Sequence, residues 1–281
     1  MKGRPAPERS AELRQRFAEE ARCERPDLAA LCLLIGAVAD GALDDVGIDA
    51  AQVELDRLAG QLPFRPGGPG AWARAVRQLL GEREGFGGSA ADYRRLESSL
   101  LHEVLRRRRG LPILLSVLWL EVARRAGAPV YGVALPGHFV VGFGPHEDQV
   151  LADPFDGGRV LTGDDARTLV AGAAGARLEP SMLRPAEPVE VVARVLNNVR
   201  AWAGTHLERS DVALWSLELG LLLPSHPARL RYERAQLLVL RGDYPGGAGE
   251  LESYADLLEA VDEQAAEQVC GEARQARSLL N

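Results

Sequence analysis

The chain has 281 residues, with 33 Lys and Arg against 40 Asp and Glu, a net charge of −7 and 46% hydrophobic residues. That composition belongs to a globular protein large enough for one big domain or two ordinary ones, and its acidic balance argues against broad nucleic-acid binding. The longest apolar runs, such as Leu111 to Leu120, are about half the roughly 20 residues of a membrane span.

The charged start, Met1 to Arg16, lacks the apolar stretch of a signal peptide, so the expected location is the cytoplasm. Residues 1–25 alternate charge and alanine and suit a frayed or surface helix. From Asp27 to about Gly81 the pattern is helical. Leu28, Leu31, Leu33 and Leu34 are followed by Val53, Leu55, Leu58 and Leu62, and the Gly/Pro-rich PFRPGGPG (63–70) breaks the pattern as a surface loop. A third helical block, Ala90 to Arg109, ends in the run Arg106 to Arg109 before Gly110. Cations there complement the helix dipole, and glycine stops the helix. Residues 1–109 thus read as an N-terminal helical region.

The block 110–185 changes character. Pro112 suits a first helical position, and Ile113 to Ala126 is apolar nearly all round, which predicts a buried helix with Glu121 and Arg125 as one i,i+4 pair. Strand-like segments follow at Val130 to Leu135, His138 to Phe143 and Gln149 to Ala152, with a turn at 144–148. A buried helix beside a short antiparallel meander is an α+β core. Residues 186–281 are helical. The segment 227–260 reads as two helices joined at Gly242-Asp243-Tyr244, in the manner of tetratricopeptide hairpins. About two such units fit, fewer than the three a free-standing array needs, so they are expected to pack against the middle block.

Two polar landmarks stand in the middle block: His138 in PGHF and Asp153 in ADPFDGG. A His on one strand and an Asp on its antiparallel neighbour can face each other, the carboxylate orienting the imidazole. Such a pair serves a nucleophile at a helix N-terminus, or simply satisfies two polar groups in a half-buried site. Ser116, one turn beyond Pro112, either supplies a hydroxyl to that site or bonds back to its own helix carbonyl. Trp119, Trp202 and Trp215 read as core residues and His146 as a turn residue; His102, His206 and His226 have no partner pattern. Cys23, Cys32 and Cys270 form neither a disulfide framework nor a zinc spacing. Gly157-Gly158 lacks the setting of a phosphate loop. Neither a cofactor nor a metal is expected.

The segments RRGLPILLSVLWLEVARRAG (108–127), VALPGHFVVGF (133–143) and LADPFDGGRVL (151–161) resemble the transglutaminase-like, papain-related core. With weaker agreement in LESSLLHEVLRRR (96–108) and VVARVLNNVRAW (191–202), the chain most resembles the SirB-type family of bacterial proteins, which joins such a core to tetratricopeptide helices. The resemblance places His138 and Asp153 on the catalytic His and Asp, and Pro112 on the nucleophilic Cys. SirB-type proteins typically carry Pro there, and they usually have a second Ser where this chain has Leu114. It implies the fold and a residual His/Asp site without thiol chemistry. The expected function is that of a catalytically degenerate module, binding or regulating a protein or peptide partner away from any membrane. The alternative is a hydrolase or acyl-transfer enzyme with His138 as general base, working through water, Ser116 or the substrate's own nucleophile. A third reading is a scaffold with a vestigial cleft.

Overall fold

The structure is a computed structural model that describes residues 3–204 and 207–279; His206 lies outside them. Met1–Val195 and Leu196–Asn281 form two compact units.

Helix α1 (Pro7–Ala21) is a surface helix but not a frayed one. Leu13, Phe17 and Ala21 recur every four residues and form a buried stripe, with the charges on the remaining faces. Helix α2 (Leu28–Ala39) is buried nearly all round and is capped by Asp27, whose carboxylate accepts from the Ala30 N–H at 2.9 Å. Asp44 caps α3 (Asp45–Ala59) in the same way, and after the Gly/Pro break α4 (Pro69–Val76) widens into a π-turn at Arg77–Arg83.

The expected helix over 90–109 is instead two 3₁₀ turns, Ala90–Arg94 and Leu96–Ser99, followed by α5 (Leu101–Arg107). The stop falls at Arg108, not Gly110. Arg108 takes the left-handed conformation at φ +61°, which costs a non-glycine residue about 1–2 kcal/mol. An ion pair to Glu84 at 2.8 Å and stacking on Phe86 at 4.5 Å offset that cost. Arg106 and Arg107 face Glu103 at 2.6 Å and Asp92 at 3.8 Å, so most of the arginine run is matched internally by carboxylates.

Helix α6 (Pro112–Arg125) is buried at every residue from Pro112 to Ala123. Helices α2, α3 and α5 pack against it, as do the first two strands of the sheet. The sheet is β1 (Val130–Val133), β2 (Val140–Phe143), β3 (Val150–Asp153) and β4 (Arg159–Leu161), antiparallel throughout and ordered β1-β2-β3-β4. β4 is a strand beyond the three expected; Gly157 and Gly158, at φ +57° and +84°, turn the chain into it. Helix α7 (Gly163–Ala174), opened by a Thr162/Asp165 capping box, adds Ala166 and Val170 to Val133, Leu135, Val140, Leu151 and Leu161.

Helix α8 (Pro188–Gly204) runs across the boundary between the units. The second unit continues with α9 (Ser210–Leu222), α10 (Arg229–Leu240), α11 (Tyr244–Glu259) and α12 (Glu263–Ser278). Asp243 caps α11 through the Gly246 N–H at 3.0 Å, and Ala235, Leu251, Ala255, Val269 and Ala273 form the core shared by α10 to α12. Among the described residues no helix is long and apolar enough to cross a membrane.

The indole of Trp119 occupies the space where a side chain at Gly158 would stand, whereas Gly157 faces open space. Both glycines have positive φ, so the clash separates them. Gly158→Ala is expected to cost about 1–3 kcal/mol more than Gly157→Ala. Urea unfolding followed by circular dichroism measures the difference; equal losses would mean that backbone strain alone decides.

Candidate functional site

The site is built on the turn that precedes β2. The strand expected from His138 begins only at Val140, because Pro136-Gly137 forms a turn with Gly137 at φ +69° and the His138 N–H bonded to the Leu135 carbonyl at 3.2 Å. A side chain at Gly137 would collide with Ala173, so α7 packs directly on this turn. Two further side chains fix it. Arg194 of α8 donates to the Leu135 carbonyl at 2.9 Å and to the His138 carbonyl at 3.2 Å, and its guanidinium lies over the Phe139 ring at 5.6 Å. Burial lowers the Arg194 guanidinium below its ordinary value, and the two carbonyls with the ring are its compensation. Ser116 Oγ donates to the Phe139 carbonyl at 3.1 Å and is fully buried. The bond of Ser116 to its own helix carbonyl, offered above as its bland role, is therefore replaced by one to a neighbouring segment.

Asp153 ends β3. The ladder sets Val141 opposite Ala152, so Asp153 stands diagonally across from His138, within reach of a ring. His138 Nε2 lies 2.9 Å from Asp153 Oδ2. The other oxygen, Oδ1, accepts from the Phe155 N–H at 2.9 Å and caps the short 3₁₀ turn Pro154–Asp156. Both carboxylate oxygens are thus engaged, and the carboxylate is held from two sides. Among the described residues nothing bonds His138 Nδ1.

Aromatic rings border the pair. Phe155 meets His138 edge-on at 6.2 Å and Tyr93 at 6.0 Å. Gly88 bonds the Phe155 carbonyl through its N–H at 3.0 Å, and the Phe155 ring takes the place of any side chain there. The half-exposed Tyr93 phenol is pushed above its ordinary range, first by partial burial and then by the charge of Asp153. Pro112 is the buried first residue of α6, behind Leu111, whose side chain has no cap to offer. Leu114, Trp119 and Phe139 are likewise buried. The loop 63–70 ends with Pro69 against Gly144, at the end of β2 opposite His138.

Arg194, Tyr93 and Phe155 were not singled out in the sequence. Phe155 lies within the DPFDGG segment, but Tyr93 and Arg194 come from elements with no spacing relation to His138. His102 is a further omission. It stands beside Asp40 and Glu103 in the N-terminal helices, a grouping of metal-ligand composition.

Residues 49–197 match the profile of the transglutaminase-like superfamily. A UPF0162 protein of Xylella fastidiosa is 35% identical over 191 residues, which cover 65% of this chain and 66% of that protein. A UPF0162 protein of Pseudomonas aeruginosa is 37% identical over 128 residues, 44% of this chain and 46% of the relative. F-box only protein 21 of mouse is 26% identical over 175 residues, 59% of this chain but 26% of its own. The chain thus spans less than two thirds of the length of each of these relatives. The matched stretch carries α6, the sheet, His138 and Asp153, and on that match the chain belongs to the transglutaminase-like superfamily.

Proposed function

We propose that this chain is a SirB-type protein of the bacterial cytoplasm that recognises a protein segment at the His138–Asp153 pair and regulates it by occupancy, without thiol chemistry. One observation carries the reading: His138 and Asp153 are paired, yet neither Pro112 nor Ser116 offers them a nucleophile. Pro112 stands where the resemblance locates the thiol, and the Ser116 hydroxyl is buried and committed to the Phe139 carbonyl. A serine nucleophile needs its base within about 2.6–3.2 Å and its oxygen open to substrate. With Nε2–H donating to Asp153, a neutral His138 presents Nδ1 as an acceptor. An acceptor bordered by the rings of Phe155 and Tyr93 suits a backbone N–H and apolar side chain of an extended peptide. Helices α9 to α12, read as tetratricopeptide-like hairpins, add a second surface of a kind that takes peptide segments. The likeness to one stretch of the much longer F-box only protein 21 also supports a self-contained module.

That Nδ1, without a hydrogen-bond partner among the described residues, favours the second reading, in which His138 activates water or a substrate's own nucleophile. Affinity purification from the host with wild type, His138→Gln and Asp153→Asn tests both. The expected result is a partner that wild type retains, that His138→Gln loses at least tenfold, and that is recovered chemically unchanged. Cleavage or acyl transfer on that partner, abolished by His138→Gln, would establish the enzyme instead; equal recovery with all three proteins would overturn the role of the pair.

Stability supplies a second measurement. Asp153→Ala removes the partner of a mostly buried imidazole and the cap of the Phe155 N–H, so it should lower stability by about 1–3 kcal/mol in urea unfolding. Asp153→Asn keeps an oxygen and should cost less. Replacing His138 and Asp153 together by apolar residues of similar size should recover part of the loss.

Thiol chemistry gives a third. Cys23 is exposed, while Cys32 is fully buried and burial pushes its thiol up. Native iodoacetamide should label Cys23, spare Cys32 and leave partner binding unchanged. Loss of binding with an unaltered circular dichroism spectrum would show that a cysteine from outside the motif serves the site.

A further inference from the structure

We infer that Asp40, His102 and Glu103 form a binding site for one divalent transition-metal cation of the zinc class, fixing the end of α2 to α5. Each residue offers one ligand atom, and the three atoms lie within 4.8 Å of one another. Asp40 follows the last residue of α2; His102 and Glu103 open α5, and the two helices pack together. The side chains of Asp40 and Glu103 are each only 8% exposed.

The imidazole is the telling group. Both ring nitrogens of His102 are sealed from solvent, and neither has a hydrogen-bond partner. Leaving buried polar nitrogens unsatisfied costs about 1–3 kcal/mol, and neighbouring carboxylates would normally be recruited to prevent it. Here the Asp40 carboxylate faces Nε2 but stops at 4.0 Å, too far for a hydrogen bond. Two bonds of roughly 2.0–2.2 Å at a tetrahedral angle set their donor atoms about 3.4 Å apart, so a cation between them would draw the two side chains together by about half an ångström. One nitrogen and two carboxylates are a donor set for a borderline cation, with room for water as the fourth ligand.

The surroundings are shaped for the same purpose. A side chain at Gly36 would approach to 2.5 Å from His102 Nδ1, so glycine in the middle of α2 lets the ring lie against the helix. That glycine costs the helix about 1 kcal/mol relative to alanine. Glu103 is gripped by Arg106 at 2.6 Å, an outer partner that orients the carboxylate. The Arg106 side chain is 70% exposed, and swinging it outward opens a path from solvent. The site is independent of His138, so the function proposed above and this inference stand or fall separately.

The test uses the full chain, stripped with a chelator and titrated with Zn²⁺ by calorimetry and with Co²⁺ by visible absorption. The expected result is one equivalent bound per chain, a melting temperature that rises with added Zn²⁺, and Co²⁺ d–d bands without the near-ultraviolet band of a thiolate ligand. His102→Gln and Asp40→Asn should weaken binding at least tenfold. Glu103→Gln, which keeps the side-chain shape, carries the same comparison where the other variants alter the circular dichroism spectrum. No uptake by wild type, equal uptake by the folded variants, or a thiolate band would each overturn the assignment.

Discussion

Every residue from Pro112 to Ala123 is buried, and that demand organises the first unit. An amphipathic helix needs one covering surface; a helix apolar all round needs to be enclosed. Helices α2, α3 and α5 supply part of the enclosure, and the strands with the turn at Pro154–Asp156 supply the rest. Each large side chain removed from water here contributes about 1.5–3 kcal/mol. The helix also carries Ser116, Trp119 and Glu121 into this interior; the indole N–H of Trp119 has no partner among the described residues, and the other two find one. Ser116 donates to Phe139, and Glu121 accepts from Arg124 at 2.7 Å. Burial still raises the Glu121 carboxyl above its usual range. The folded state therefore holds that proton more tightly than the unfolded one, and the group's contribution to stability declines as pH rises through the window between the two values.

The candidate site follows from this enclosure. The Ser116 bond sits one turn into α6 and ties the helix to the residue after His138. Arg194 ties the same turn from α8, through the carbonyls of Leu135 and His138. The backbone is thus held at three carbonyls, those of Leu135, His138 and Phe139, while the imidazole keeps one nitrogen unbonded. A fixed ring with an unused nitrogen is what recognition or proton transfer both need. What separates them is the company the ring keeps, and that company is the Asp153 carboxylate and the Phe155 ring.

Much of this was legible in the sequence. The buried helix, the antiparallel strands and the nearness of His138 to Asp153 follow from apolar patterning and from the PGHF and DPFDGG segments. The rest depended on information that patterning does not carry. Periodicity weights charge as exposure, so α1 reads as a frayed helix although Leu13, Phe17 and Ala21 recur every four residues. Arg108 ends α5 because Glu84 and Phe86 compensate a strained backbone, and those partners lie far back in the chain. β4 has only three residues, too few for an alternation to register. Between Asp40 and His102 lie α3, α4, the π-turn and two 3₁₀ turns, and only packing brings the two residues together.

The contact between Gly88 and Phe155 has a consequence for how such a sequence can drift. The ring of Phe155 fills the volume a side chain at 88 would take, while the Gly88 N–H is bound to the Phe155 carbonyl. The absence of a side chain at one position and the bulk of a ring at the other are therefore a single shape encoded at two places. Shrinking residue 155 removes only the nearer obstacle to a side chain at 88, because the Gly110 carbonyl oxygen also stands 2.9 Å from where its Cβ would lie. Substitutions at the two positions are therefore coupled, but a paired replacement succeeds only where the backbone at Gly110 also gives way.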